Sequence, residues 1–478
     1  MIPAILIPII GGLLIPFFPK GYEKIRNIFA AFASSLPIVF IIAMMPGALA
    51  TPSAVKVWEL PMFRSISLLL LGDALSIFVA FASSLVGALV LIYSIDYVRN
   101  YPHQKEFFTL VLIFQGAMMG LVFSGNLVIM YIFWELTAIC SWRLIGFHRQ
   151  ETKPIAHADK ALLVTVFGSA CMLIGFKLIF HEFGSFSVLE LRGHVLSAWP
   201  LFLVLLGILA KSAQFPLQTW LPDAGVAPSP VTALLHAAAL VKIGVYAFAR
   251  IFLATFTMPK SSIDLIIIIA ALSVFIAATS AVVENDIKRI LAYSTISQIA
   301  YIVLGLAIGT PLAVTGALFY ILVHGLGKAG LFLGAGVVEQ YAHEKDIRKL
   351  GGMRKVMPIT SFGFFFNSLS VMGIPPFGGF FAKLLIILGA MQIKNYFVAF
   401  LIVGTAILTL IYLMRVWTKV FNGEEVTHPG KPEARKLMPV VVVIFAVLSL
   451  ISFVVLIYPF NIVGKAVAVT VSQIVGLR

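Results

Sequence analysis

Ala210-Lys-Ser-Ala-Gln-Phe-Pro-Leu-Gln-Thr-Trp-Leu-Pro-Asp-Ala224 closes the apolar run Trp199–Ala210. Lys211 thus stands at membrane depth just where Pro216 and Pro222 forbid a continuous helix. A charge there costs several kcal/mol unless a partner, water or loss of its proton relieves it, so an ionisable group in a span points to ion or proton handling. Three lysines repeat the anomaly: Lys242 in Leu240-Val-Lys-Ile-Gly-Val-Tyr246, Lys328 in His324-Gly-Leu-Gly-Lys-Ala-Gly330, and Lys383 in Phe380-Phe-Ala-Lys-Leu-Leu385. Glu135, in Ile132-Phe-Trp-Glu-Leu136, adds one acid.

The surrounding chain is 478 residues long, 60% hydrophobic and 11% charged, a composition that excludes a soluble domain and predicts an all-α polytopic membrane protein. At about 20 apolar residues per crossing, scanning gives about fourteen spans. They fall near residues 2–18, 27–48, 70–95, 107–124, 127–147, 160–181, 199–222, 229–256, 263–283, 290–308, 312–338, 358–392, 395–421 and 437–458. Met1-Ile-Pro-Ala4 lacks a basic leader, so the first span is expected to remain as a helix.

Alternate connections hold most of the Lys and Arg, including Lys20, Lys24, Arg26, Lys288, Arg289 and the run from Lys345 to Lys355. The positive-inside rule then puts both termini outside a prokaryotic plasma membrane. The net charge of +14 is accounted for by this topology and by contact with anionic lipid, and nucleic acid is not expected as a partner.

Cys140 and Cys171 make no metal quartet, and neither a phosphate-binding loop nor a dinucleotide fingerprint is present, so no metal or cofactor is expected in this chain.

A second break, Gly373-Ile-Pro-Pro-Phe-Gly-Gly379, with Pro375 and Pro376, follows the first by about 160 residues. The spacing predicts two five-helix repeats, the second inverted because five is odd, with helices seven and twelve discontinuous. The expected division is 1–98 for helices one to three, 99–258 for the first repeat, 259–421 for the second, and 422–478 for a cytoplasmic loop, Asn422–Lys436, and helix fourteen.

Glu135 and Lys211 form a candidate pair in which the lysine takes up a proton when the acid is near and releases it when the acid moves away. His236 and Lys242 are six apart on span eight, about 120° and about 9 Å from each other, so water is the natural bridge between them. His324 and Lys328, at i and i+4, share a face of span eleven. Lys383 lies beyond the second break. Arg143 and Lys177 fall near helix ends, where long side chains reach the interface, and Asp73 reads as an N-terminal or interfacial group. The hydroxyls of Asp286-Ile-Lys-Arg-Ile-Leu-Ala-Tyr-Ser-Thr-Ile-Ser-Gln298 either hold water or hydrogen-bond neighbouring helices.

Together Trp134-Glu-Leu136, the stretch Ala210–Ala224, Ala227-Pro-Ser-Pro-Val231, Leu235-His-Ala-Ala238, Val241–Tyr246, Asp286–Thr295, Lys349-Leu-Gly-Gly-Met-Arg-Lys355 and Gly373–Lys383 resemble the antiporter-like subunits of respiratory complex I, Mrp sodium/proton antiporters and archaeal membrane-bound hydrogenase and sulfane-reductase complexes. The resemblance covers about residues 70–420. It implies a compact member with a central hydrophilic axis, built from the helix-five Glu135, the helix-seven Lys211, the relay pairs His236/Lys242 and His324/Lys328, and the helix-twelve Lys383, which is glutamate in some members. The expected function is proton translocation, with Na+ as a second candidate ion, inside a multisubunit ion-pumping complex whose iron–sulfur or nickel–iron centres, if any, belong to partner subunits. A non-pumping scaffold and a stand-alone secondary transporter are the alternatives. The chain itself carries no catalytic redox site.

Overall fold

The computed structural model describes residues 1–50, 55–63, 66–426, 436–457 and 461–471. The helices are α1 (Ile2–Leu14), α2 (Glu23–Ala50), α3 (Ala74–Tyr97), α4 (Gln104–Phe123), α5 (Leu127–Ile145), α6 (Thr152–Phe183), α7 (Ala198–Lys211), α8 (Trp220–Asp223), α9 (Ser229–Ala233), α10 (Leu240–Ala247), α11 (Lys260–Val283), α12 (Ile287–Ile308), α13 (Pro311–Ala342), α14 (Met353–Val356), α15 (Pro358–Met372), α16 (Gly378–Gln392), α17 (Tyr396–Val416), α18 (Leu437–Ile451) and α19 (Ile462–Val471). Among the described residues eleven helices are long and apolar enough to cross a membrane, and three shorter apolar ones, Ile2–Phe17, Ala198–Lys211 and Gly378–Gln392, fall at other expected spans. The protein is a multi-pass membrane protein.

Local chemistry sets the helix ends. Asp286 caps α12 by accepting the Lys288 and Arg289 amides, and Thr310 caps α13, whose first residue is Pro311. Gly309 and Gly373 end α12 and α15 with φ of 72° and 84°, where a Cβ would be strained.

Both expected breaks are present. Helix α7 stops at Lys211 and helix resumes at Trp220; α15 stops at Met372 and α16 starts at Gly378.

Span eight, Ser229–Leu253, holds a third irregularity that its apolar sequence does not announce. Two π-helical turns, Leu234–Ala238 and Phe248–Leu253, flank α10, and Ala239 sits at φ −143°, ψ −60°. Such turns leave carbonyls without their ordinary helical partners.

Span eight and α13 are buried throughout their most apolar windows and α12 nearly so, whereas α2, α6, α11, α17 and α18 bury well under half of theirs. The innermost helices therefore carry His236, Lys242, Lys288, His324 and Lys328, as expected when charged groups must avoid lipid.

Two features lie outside the all-α expectation. Val55–Phe63 (β1) and Ile66–Gly72 (β2) pair as an antiparallel hairpin, with Leu69 O accepting the Gly125 amide at 2.8 Å. Helix α3 therefore begins at Ala74, not near residue 70; the run Leu68–Leu71 is as apolar as the helix after it, and hydropathy merges the two. A short helix, α19, also follows α18 and packs against α3 and α13. Of the loop expected over Asn422–Lys436, residues 427–435 lie outside the described residues.

Asp73 is not interfacial. It caps α3 through a reciprocal bond with Ser76 and is completely buried. Arg250 grips it with two bonds of 2.6 and 2.7 Å, and Arg250 Nε donates to the Tyr246 hydroxyl at 3.1 Å. The pair fastens α3 to the end of span eight. Removing one partner from a buried pair leaves an uncompensated charge. Arg250→Met should therefore lower stability by about 3–5 kcal/mol, read as a fall in melting temperature in detergent, and adding Asp73→Asn should restore much of the loss.

Candidate functional site

The four intramembrane lysines are almost wholly buried, Lys383 being the most exposed at 4%. Each ammonium donates to backbone carbonyl oxygen. Lys211 Nζ bonds Trp134 O at 3.2 Å and lies 5.4 Å from the Trp134 ring centre. Lys242 Nζ bonds Ala237 O, a carbonyl of the first π turn. Lys328 Nζ bonds Leu291 O on α12 at 3.1 Å. Lys383 Nζ reaches back across the second break to Val371 O and Met372 O, at 2.8 and 3.1 Å. It thereby caps the C-terminal end of α15, where the helix dipole favours a cation.

Glu135 does not pair directly with Lys211 in this conformation: no ion pair within 4.0 Å joins them, and Glu135 Oε1 is buried without a hydrogen-bond partner. The two still share Trp134, whose carbonyl holds the ammonium and whose chain neighbour is the acid. In this conformation the two groups are linked through Trp134 and not by direct contact.

Both ring nitrogens of His236 and of His324 are buried and unpartnered. Unsatisfied buried nitrogen is uncommon and is ordinarily met by ordered water or by a changing partner. His236 lies against Phe332, ring centres 4.5 Å apart, and His324 stands edge-on to Tyr320 at 6.1 Å.

Close contacts link the helices that carry these groups in sequence. Gly244 of α10 packs directly on Ser212, the residue after Lys211. Lys242 Nζ occupies the space over Gly325, the residue after His324. Tyr320, beside His324, faces Lys383 Nζ at 6.0 Å, as does Tyr301 at 5.4 Å. The row therefore passes from Glu135 through Lys211, Lys242 and His324 to Lys383, with Lys328 and His236 within charge–charge reach of His324.

Of the polar row on α12, Ser294 and Gln298 bond neighbouring helices, with Tyr412 donating to Ser294 Oγ at 2.7 Å, Gln298 Nε2 to Thr409 Oγ1 at 3.3 Å and Tyr320 to Gln298 Oε1, whereas Thr295 donates to Leu291 O of its own helix and Ser297 Oγ is buried without a partner. Arg143 does not merely reach for the interface, since its Nε meets Glu106 Oε1 at 2.6 Å; Lys177 is exposed on α6.

Two groups escaped the sequence reading. Arg250 interrupts Ala247-Phe-Ala-Arg-Ile-Phe-Leu253 as conspicuously as any of the lysines, so the signal was available. Glu339, near the end of α13, gave none, because a terminal acid resembles an ordinary interfacial one.

The sequence matches the family described as NADH:quinone oxidoreductase/Mrp antiporter, TM, over residues 124–409, more than half of the chain. The chain belongs to that family. A subunit of Staphylococcus saprophyticus named Na(+)/H(+) antiporter subunit A1 is 32% identical over 505 aligned positions, covering 98% of this chain and 62% of the staphylococcal protein. This chain thus spans about three-fifths of the length of that relative. In fold it is similar to a chain of the Mrp complex from Dietzia sp. DQ12-45-1b, with TM-score 0.87, 22% identity and coverage of 99% of this chain and 97% of that one. It is likewise similar to a chain of the archaeal membrane-bound sulfane sulfur reductase, with TM-score 0.86, 24% identity and coverage of 98% and 97%.

A methyl group on Gly325 would overlap Lys242 Nζ and lie 3.1 Å from Ala237 O. The mobile end of a lysine can yield where a backbone cannot, and alanine suits a helix better than glycine by about 1 kcal/mol. Gly325→Ala should accordingly leave the protein folded and assembled while displacing the Lys242 ammonium. Ion transport in vesicles is expected to fall by roughly tenfold at unchanged expression and melting temperature.

Proposed function

We propose that this chain is a proton-translocating, antiporter-like membrane subunit of a multisubunit ion-pumping complex. One observation carries the reading. A row of buried ammonium groups with no carboxylate partner, interleaved with two unpartnered imidazoles, runs from α7 through span eight and α13 to α16. A scaffold has no use for such groups, and each is costly.

In this reading Glu135, Lys211, His236, Lys242, His324, Lys328 and Lys383 take and release protons in turn. The breaks at Pro216, Pro222, Pro375 and Pro376 admit water and supply carbonyls. The chain crosses a prokaryotic plasma membrane fourteen times with both termini outside, its first five-helix repeat over 99–258 and its inverted second over 259–421. Exposed backbone carbonyls let each lysine stay bound while its proton leaves, since a neutral amine still donates to them. Transport is driven by a redox module or an ion gradient in partner chains, where any iron–sulfur or nickel–iron centre resides. The sodium/proton name of the staphylococcal relative supports H+ as the ion moved and keeps Na+ as its counter-ion.

The test is ion transport by the assembled complex in everted vesicles, followed with a pH-sensitive dye after addition of NaCl. Lys211→Ala and Lys242→Ala should abolish the signal with the complex still assembled, Glu135→Gln should behave similarly, and Glu135→Asp should be milder. His236→Ala should leave partial activity because water can bridge where the ring stood. Wild-type transport in Lys211→Ala would refute the path.

A further inference from the structure

A second set of buried charges lies at the loop-rich end of the same helices, outside the row described above. Lys288, in the first turn of α12, is 1% exposed, and its ammonium meets Glu339 Oε2 at 2.6 Å and Ala227 O at 3.0 Å. Glu339, on α13, is held at its other oxygen by Lys345 at 3.0 Å and keeps 20% of its side chain exposed. Ser229, the first residue of span eight, donates its hydroxyl to Glu339 Oε2 at 3.0 Å. Asp286, Tyr97, Tyr101 and His148 are further charged and titratable groups within electrostatic reach of the cluster.

The cluster stands over the axis. Glu339 follows Lys328 by eleven residues, close to three whole turns, and so lies on the same face of α13 about 16 Å away. Ser229, Thr232 and His236 are spaced three and four apart, which puts them on one face of span eight. Thr232 is wholly buried and its hydroxyl donates to Ser229 O at 2.8 Å. Gly336 of α13 borders this column; a Cβ there would come within 2.5 Å of Ser229 Cβ. At the foot of the column both His236 nitrogens are buried without a partner, so the unprotonated one is free to accept, with Phe332 packed on the ring.

The geometry points to Lys288 and Glu339 as a proton-loading pair that feeds the axis at His236, a route separate from the two proline breaks; the inference rests on the proton path proposed above. The exchangeable proton sits on Lys288 Nζ. Glu339, anchored by Lys345, is the counter-charge that keeps it there. When the carboxylate turns toward Lys345, the ammonium loses its proton to the Ser229 hydroxyl, which passes one of its own to Thr232. Thr232, its hydroxyl turned away from Ser229 O, passes one in turn to the unprotonated imidazole nitrogen of His236, leaving imidazolium below and a neutral amine above. Water at the exposed edge of Glu339 then restores the proton to Lys288. No electron moves, and each hydroxyl gains one proton and gives one.

A purely structural clip tying α12, α13 and span eight together would need only charge, and arginine supplies charge without releasing a proton. Lys288→Arg is therefore the discriminating variant. In the assembled complex in everted vesicles it is expected to slow NaCl-dependent proton movement by roughly tenfold. Thr232→Val, which keeps shape and removes the hydroxyl, is expected to slow it to a similar degree without altering assembly. Wild-type rates in either variant would overturn the loading pair. Lys242→Ala in the same vesicles separates the two readings. If it is inactive while Lys288→Arg and Thr232→Val are normal, the path stands and the loading pair falls; if it is normal, the path itself falls.

Discussion

Everything in this fold answers to one constraint: lipid offers no hydrogen bond to a buried ammonium, so the protein must supply carbonyl oxygen at the right depth. Continuous helices have little to give, because their carbonyls are already engaged. Two lysines solve this with irregular backbone. Lys383 takes the last carbonyls of α15, and Lys242 takes Ala237 O from a π turn. The other two use carbonyls inside regular helices that already receive a hydroxyl, Thr137 at Trp134 O and Thr295 at Leu291 O. There the hydroxyl and the ammonium share the two lone pairs of an oxygen that also faces its helical amide, so no donor has it to itself.

The same constraint dictates the packing around the axis. An ammonium reaching across a helix interface needs a facing residue without bulk, and Gly325 provides that opposite Lys242. Gly244 against Ser212 brings α10 and α7 close enough for their lysines to become neighbours in the row, and Gly379 lets α16 approach the Ser370 carbonyl. Small residues in membrane helices generally serve close approach. Here the approach also brings titratable groups near one another, and at Gly325 an added Cβ meets first the mobile end of Lys242, whereas at Gly379 and Gly244 it would meet backbone oxygen.

Much of this was legible in the sequence because charge is so rare there. Each of Lys211, Lys242, Lys328 and Lys383 stands alone in an apolar run, and the two Pro-containing breaks mark themselves by residue type. The π turns of span eight left no such mark: Leu234-Leu-His-Ala-Ala238 reads as ordinary helix. The hairpin over Val55–Gly72 was hidden because the hydropathy of Leu68–Leu71 says nothing of periodicity when every position is apolar. Asp73 was recognised as a helix-start residue, but its partner is 177 positions away, and pairing at that distance has no local signature. The open relation of Glu135 to Lys211 is likewise a matter of side-chain geometry that adjacency in sequence to Trp134 could not foretell.

Contact is not needed for these groups to govern one another. Two unit charges about 10 Å apart in a medium of effective dielectric about 20 repel by about 1.7 kcal/mol, more than a tenfold change in a protonation equilibrium. The row holds four lysines and two histidines but one acid, and that acid sits at one end. Full protonation would therefore accumulate repulsion toward the Lys328 and Lys383 end, while Glu135 compensates only the Lys211 end. The arrangement favours alternation, with a proton arriving at one lysine promoting release from the next. In the proposed path, moving the Glu135 carboxylate toward or away from Lys211 changes the charge seen by that lysine, and through it by Lys242 and the groups beyond.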